Sequence, residues 1–154
     1  MDKSLSVADY ESLAELRYQI RSYLHFSEEA ARRAGLEPQQ HQLLLAIKGL
    51  PAGMTPRIGE LADRLKIRHH STVELTNRLV AGGYVRRHRG ETDRREVLLV
   101  LTTKGEHVLR ELSLSHRAEL LSQGPALIAA LRRAVQRSKR KTAGKNIIHH
   151  RRKR

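Results

Sequence analysis

The chain has 154 residues, no cysteine and a formal net charge of +14. This length suits one domain with a real hydrophobic core, but not two. The lack of cysteine excludes a disulfide scaffold, a thiolate zinc site and a thiol redox sensor.

The positive charge points to a polyanionic partner and is unevenly distributed. Residues 120–154 carry eleven lysines and arginines and no acidic residue, whereas the rest of the chain has 19 basic and 16 acidic side chains. The longest apolar runs are only about five residues, too short to cross a membrane. The N-terminus lacks the pattern of a secretory signal. We therefore expect a cytoplasmic protein with no membrane partner.

Two helices are predicted before residue 50. Apolar residues spaced by three, four and four predict an amphipathic helix over about 8–34 with one buried stripe: Leu13, Leu16, Ile20 and Leu24. Gly35 should end it. Pro38 suits the first position of a second helix, with its core side formed by His41, Leu44, Leu45 and Ile47. Residues 49–53 are rich in glycine and proline and predict a break.

Residues 55–83 predict two short helices in tandem. Thr55-Pro56 opens the first, Ile67-Arg68 makes the turn, residues 70–79 form the second, and Gly82-Gly83 stops it. We expect the buried side of the second helix to carry Val73, Leu75, Leu79 and Val80.

The opposite side of that second helix is predicted to bind DNA. Short hydroxyls can approach phosphates and bases closely, and Arg or Asn can pair with guanine or adenine edges. The candidate residues are Arg68, His69, His70, Ser71, Thr72, Glu74, Thr76, Asn77 and Arg78. Glu74 has two interpretations. It could accept a hydrogen bond from cytosine, or pair with Arg78 one turn along and never meet DNA.

A basic hairpin follows. Residues 84–89 run out as a strand, 90–93 turn the chain, and 97–101 return. The narrow minor groove of DNA attracts arginine, so the candidate wing residues are Arg86, Arg87, Arg89, Asp93, Arg94 and Arg95. Asp93 is better placed to hold the turn or to fix the Arg95 guanidinium than to contact DNA. Alone, such a hairpin would often be a solvated surface. Its position after two tandem helices favours a winged helix-turn-helix.

Two more helices and a tail are predicted after the hairpin. A capping box from Thr103 to Glu106 begins one helix, and Gly124-Pro125 interrupts it and starts another. Beyond Ser138 the apolar period is lost, so 139–154 is expected to be a basic, disordered tail. Such a tail should raise affinity for any nucleic acid without adding sequence choice. The alternative is a tail that only aids solubility or reflects the gene boundary.

Several of these motifs together resemble the MarR family of bacterial transcriptional regulators. The stretches are 59–65, Ser71-Thr72-Val73 with Arg78-Leu79, Gly83-Tyr84-Val85, and Asp93-Arg94-Arg95 leading to 99–102. The resemblance extends from about residue 12 to 137. It implies that arginine of the Asp93–Arg95 wing enters the minor groove, and that Ser71, Thr72 and their neighbours enter the major groove. Arg68-His69-His70 and Glu74 depart from the family pattern, which leaves the operator sequence open.

The resemblance also implies a homodimer on a near-palindromic double-stranded operator, usually a repressor that releases DNA when a small aromatic or lipophilic effector binds. Physics favours a dimer as well, because pairing supplies a second half-site about one helical turn away. The stripes Leu13/Leu16/Ile20 and Leu127/Leu131/Val135 are candidates for the dimer seam, although they could instead pack within one chain.

The predicted fold class is therefore mainly α with a small β-hairpin wing: a winged helix-turn-helix with flanking dimerisation helices. We expect one domain over 1–138, with a DNA-binding lobe at 38–102 and dimerisation helices at 8–34 and 103–138. Residues 139–154 form the tail.

An enzyme is not expected, because the chain has no glycine-rich phosphate loop, no Gly-x-Ser-x-Gly and no paired metal ligands of known spacing. His107 and Glu111 lie four apart, but one such pair on a charged helix is usually a solvated face, so neither metal nor cofactor is expected. The predicted function is a sequence-specific transcriptional regulator. The alternative is a general nucleic-acid-binding winged-helix protein whose tail supplies most of the affinity.

Overall fold

The computed structural model describes residues 5–90, 93 and 95–150, with side chains described as far as residue 138. These residues form two compact units. One is Ser27–His116, and the other combines the described residues up to Phe26 with those from Arg117 onward. The first unit is wider than the predicted 38–102 lobe, because the end of the first helix and the start of the last helix belong to it.

The described elements follow the predicted order. They are α1 Val7–Arg33, α2 Pro38–Lys48, α3 Ile58–Leu65, α4 His69–Ala81, β1 Val85–Arg89, β2 Val97–Leu101 and α5 Thr103–His150. The two strands are antiparallel, with Val85 opposite Leu101 and Arg89 opposite Val97. The predicted fold class, mainly helical with a winged helix-turn-helix, is confirmed.

Leucines from four elements form the core of the Ser27–His116 unit. The fully buried ones are Leu43, Leu44, Leu61, Leu79 and Leu99. Leu44 and Ile47 face this core as predicted, but Leu45 is exposed, so its assignment to the core was wrong. Leu45 lies about 100° around the helix from Leu44, and α2 buries only its other side.

Two glycines end helices by adopting a left-handed backbone. Gly35 after α1 has φ 78° and Gly83 after α4 has φ 76°. Other residue types adopt this conformation at a cost, which explains why glycine predicts these two helix ends correctly.

The segment before α3 is extended, so the helix starts three residues later than Thr55. The amide and hydroxyl of Thr55 donate to the Glu60 carboxylate, both at 2.9 Å. The amide of Leu99 donates to the Pro56 carbonyl at 2.9 Å. This segment therefore pairs with β2 instead of joining the helix.

The start of α5 is capped by Thr102, not by the predicted Thr103–Glu106 box. The Thr102 hydroxyl accepts from the Gly105 amide at 3.1 Å and donates to the Gly83 carbonyl at 2.6 Å. Glu106 instead accepts from Lys48 Nζ at 2.7 Å. The predicted capping box was one residue too late, because the hydroxyl of Thr102 also closes onto the turn after α4.

The last helix continues through Pro125 to His150. The predicted interruption at Gly124-Pro125 was therefore wrong. A proline inside a helix costs about 3 kcal/mol, and the buried Ala130 and Ala134 hold the following turns in place. The structure also differs from the predicted tail, since the backbone of 139–150 is helical. Lengthening an existing helix avoids the cost of nucleating one. Residues 151–154 lie outside the described part.

The unit formed by the first part of α1 and the later part of α5 exposes much apolar surface. On α1, Leu13, Ile20 and Leu24 are each at least 39% exposed, and on α5 Ile128, Leu131 and Val135 are each at least 44% exposed. Three of the four residues predicted to form the buried stripe of α1 are thus exposed in a single chain, and the fourth, Leu16, is half-buried. Among the described helices, none combines the length and apolarity that a bilayer crossing needs.

Candidate nucleic-acid interface

The outer face of α4 is polar and open to solvent. Nine residues at the start of α4 and along it were predicted to bind DNA, and we call them the recognition residues. Six of them are exposed: Arg68, His69, His70, Glu74, Asn77 and Arg78. Ser71 is half-buried. The residues at 70, 74, 77, 78 and 81 recur at helical spacing and form one continuous stripe, as a helix lying in a groove requires.

Thr72 and Thr76 do not belong to that face. Both side chains are 0% exposed, and their hydroxyls donate within the helix, Thr72 to the Arg68 carbonyl at 3.2 Å and Thr76 to the Thr72 carbonyl at 2.8 Å. Placing them against DNA was wrong. A threonine hydroxyl in a helix can bond to the carbonyl one turn earlier, so these buried threonines are satisfied without an outside partner. The sequence carried the signal, since 72, 75, 76 and 79 lie on one side of a helix.

Arg78 is paired with a residue that sequence reasoning missed. Its Nη1 lies 2.9 Å from Oε2 of Glu37, the residue that caps the start of α2. Arg78 therefore pairs with Glu37 rather than with Glu74, which stays exposed on the same stripe. Because 41 residues separate the two partners, no local spacing predicts this pair.

A second bond joins α4 to the hairpin. Arg87 on β1 donates from Nη2 to Oδ1 of Asn77, at 2.5 Å. Both side chains are exposed. The bond connects a recognition-helix residue to a wing residue, so the structure brings these two groups of predicted site residues together.

The hairpin has exposed arginines on both faces, and Arg87 and Arg89 share the face that carries the buried Val85, Leu99 and Leu101. Val85 is the buried residue of β1, and β2 buries Leu99 and Leu101. Arg86, Arg87 and Arg89 are all exposed on β1, with Arg86 on one face and the other two on the opposite face. Arg95 is also exposed, while Arg94 lies outside the described residues. The strand that carries basic groups is thus held by an apolar partner strand.

Asp93 holds the turn of the hairpin. Its Oδ1 accepts from the Arg95 amide at 2.8 Å, and its carbonyl accepts from the Glu96 amide at 3.0 Å. The Gly90 amide donates to the Glu96 carbonyl at 2.9 Å and closes the loop. Of the two roles considered for Asp93, the structure shows the turn-holding one.

The turn end of the hairpin is tied to the segment before α3 by an ion pair. Arg57 Nη2 contacts Oε1 of Glu96, whose side chain is largely buried. Sequence reasoning missed this pair, because its partners are far apart in the chain. The pair holds the turn end of the hairpin, next to the start of β2, against the segment that precedes α3.

A pair of buried histidines lies in the core of the same unit. The rings of His41 and His116 are 4.8 Å apart. His116 bonds to the Leu112 carbonyl through Nδ1 and to the Ser27 hydroxyl through Nε2, at 2.5 and 2.7 Å. Burial, and then the neighbouring His116, lower the pKa of His41 to about 4. Both factors disfavour a charge on His41, so the ring is neutral at pH 7.

A groove of about 540 Å³ lies between the end of α2 and the start of α5. Leu45 and Leu109 give it an apolar lining, while Lys48 and Arg110 supply positive charge. Lys48 is paired with Glu106, another lining residue. No group of three potential metal ligands occurs among the residues the structure describes.

Residues 34–96 match the model of the MarR family. Over this segment the chain is similar to the MarR family. The matched segment contains α2, the helix-turn-helix and the hairpin as far as Glu96, so the predicted resemblance is confirmed. No curated protein matches the chain by sequence.

Solved structures share the fold of this segment and of its flanking helices. AbsC from Streptomyces coelicolor, a MarR family transcriptional regulator, is 22% identical with a TM-score of 0.68, covering 99% of this chain and 100% of AbsC. CouR from Rhodococcus jostii, solved with p-coumaroyl-CoA, is 20% identical with a TM-score of 0.59, covering 68% and 72%. A cysteine-to-serine mutant of MarR from E. coli, solved with operator DNA, is 22% identical with a TM-score of 0.58, covering 79% and 89%. At these identities the similarity shows a common fold.

Proposed function

We propose that this protein is a sequence-specific regulator of transcription that binds double-stranded DNA as a homodimer and represses until a small ligand releases it. One observation carries the proposal. In a segment similar to the MarR family, the polar stripe of α4 and the arginines of β1 are both exposed and are joined by the Asn77–Arg87 bond.

The shape of this surface suits a DNA duplex. The major groove admits one α-helix, and a narrow minor groove attracts arginine. α4 offers short polar and basic groups for the first groove, and the hairpin offers basic groups for the second. The fold similarity to the MarR mutant solved with operator DNA supports the same mode of binding.

The exposed apolar surface supports the homodimer. Large apolar patches on a soluble protein usually mark an interaction site. In this chain they lie on α1 before Phe26 and on α5 after Arg117, and they include Leu13 and Ile20 of one candidate seam stripe and Leu131 and Val135 of the other. We propose that a second copy of the chain covers them. Leu131→Glu should then give a monomer by light scattering, whereas Leu45→Glu, which also exposes a new charge in place of an exposed leucine, should leave the dimer intact.

The groove between α2 and α5 supports a small effector. Its volume falls within the range typical of ligand sites, and its apolar lining with two basic side chains suits an aromatic or lipophilic molecule that bears an acidic group. CouR, which has the same fold, was solved with p-coumaroyl-CoA, which supports the binding of a ligand with an aromatic part. Isothermal titration with a panel of aromatic acids should detect binding that Leu109→Arg abolishes. If none of these acids gives a heat of binding, the proposal of a small effector is contradicted, while the proposal of DNA binding is unaffected.

Competition binding tests the DNA-binding function. The protein should prefer a duplex from its own upstream region over random DNA by at least about 10³ at physiological salt. Arg95→Ala should cost about 1–3 kcal/mol of operator binding, and Arg32→Ala, an exposed arginine of α1, should cost little. Equal affinity for both duplexes would refute sequence-specific regulation.

The general nucleic-acid binder makes a different prediction about residues 139–154. If the tail supplies most of the affinity, its deletion should abolish binding to every duplex. In the regulator, the deletion should lower non-specific binding and flatten the salt dependence while site preference persists. An unchanged salt slope would mean that the tail contacts no phosphates.

A further inference from the structure

The bond between the wing and the recognition helix fixes which chemical groups α4 can present to a base. Asn77 lies on the exposed stripe of α4, and its Oδ1 accepts from Nη2 of Arg87. A guanidinium has only donors, so the amide atom facing it must be the oxygen. The orientation of the Asn77 amide is therefore decided chemically.

We infer that Asn77 determines specificity as a hydrogen-bond donor and that Arg87 is the residue that positions it. The inference rests on the proposed function and names the base edge that this part of α4 reads. With Oδ1 directed at Arg87, Nδ2 and its two N–H groups are the open end of the side chain.

This orientation favours guanine over adenine. A free asparagine prefers adenine because it accepts from N6 and donates to N7 at the same time. In Asn77 the oxygen is engaged by a cation, and a second donor approaching that oxygen meets the N–H groups of Arg87. Guanine offers two acceptors in the major groove, N7 and O6, which suit a side chain whose open end carries only donors.

The bond also sets where the wing lies relative to the helix. Arg87 belongs to β1, the strand that precedes the turn held by Asp93. Loss of the bond should therefore loosen the placement of the wing slightly, an effect that lowers affinity for all sequences. If Arg87 positions the Asn77 amide, its loss must also change the base preference. If Arg87 only holds the wing in place, its loss lowers affinity and leaves the base preference unchanged.

The test is a base-substitution scan of the operator with the full chain. At one base pair in each half-site, the wild type should prefer guanine to adenine, and Arg87→Met should move that preference toward adenine by about five- to 150-fold. Arg87→Lys keeps a donor and should retain the guanine preference. Arg89→Met removes the same charge from the same face of β1 and should weaken all sequences equally. In an Asn77→Ala background, Arg87→Met should change no base preference.

The outcomes are separable. A uniform loss of affinity in both Arg87→Met and Arg89→Met, with every base preference kept, would overturn the inference. The same holds if Asn77→Ala leaves all preferences as in the wild type. In both cases the wild type still prefers its operator, so the proposed function stands. A wild type with no preference for any duplex would overturn the proposed function, and the inference with it.

Discussion

Acidification should destabilise this protein through one buried histidine. His41 is 2% exposed, its Nδ1 has no hydrogen-bond partner among the described residues, and its ring faces His116. Its pKa falls from 6.5 to about 4 on folding. A group whose pKa is depressed in this way keeps the folded state stable while it is neutral. The contribution is therefore complete above pH 6.5 and is lost as the pH falls toward 4.

The size of the effect follows from the two pKa values. Between pH 7.5 and pH 5, the unfolded chain takes up almost one proton at this position and the folded chain takes up almost none. The free energy of unfolding should fall by about 2 kcal/mol from His41 alone.

Urea unfolding at the two pH values measures this loss. His41→Leu replaces the ring by an apolar side chain of similar volume and should lose about 2 kcal/mol less than the wild type between pH 7.5 and 5. His107→Leu removes an exposed histidine and should behave as the wild type does. If the wild type and His41→Leu lose equal stability on acidification, the reasoning about the buried ring is refuted.

Three further outcomes are expected. Glu37→Gln should tighten binding to any duplex by up to about five-fold, because Arg78 no longer has to leave an ion pair, and titration in an Arg78→Ala background should show no gain. Asp93→Ala should weaken operator binding by about 1 kcal/mol in a gel-shift titration by loosening the turn, while Asp93→Asn, which keeps the acceptor for the Arg95 amide, should bind normally. Thr76→Val removes a buried hydrogen bond, so it should lower the free energy of unfolding, measured by thermal denaturation, by about 1 kcal/mol and leave operator affinity unchanged. A loss of operator affinity would show that Thr76 contacts DNA after all.

Local patterns were enough to predict most of the helices and strands. Apolar spacing, Pro38 at a helix start and glycine after α1 and α4 all report on the nearest few residues, and the structure agrees with them. Pro125 shows the limit of this reasoning. Its cost to the helix is local, but the burial that offsets it comes from Ala130 and Ala134, which a sequence presents only as small residues.

The sequence was enough to predict which segments form the candidate interface, but not which of their side chains contact each other. Exposed basic and polar residues follow from composition. The bonds that organise them join residues that lie far apart in the chain, as Glu37–Arg78 and Arg57–Glu96 do, and no period marks such pairs. Thr72 and Thr76 were misplaced for a different reason. Their hydroxyl groups suit DNA, but helix geometry places them on the buried side that Leu75 and Leu79 define.

Charge placement, rather than total charge, must decide which sequence this surface prefers. Outside residues 120–154 the basic and acidic side chains nearly cancel, with 19 against 16, so the rest of the chain gains little from general attraction to phosphate. Two carboxylates, Glu37 and Glu74, lie at or beside the exposed stripe of α4. Their negative charge weakens binding to DNA wherever the contact is made only to phosphates. Under these conditions a base contact worth about 1–3 kcal/mol outweighs an exposed ion pair worth about 1 kcal/mol or less. The fixed donor at Asn77 therefore has more influence on the choice of site than the larger number of arginines around it.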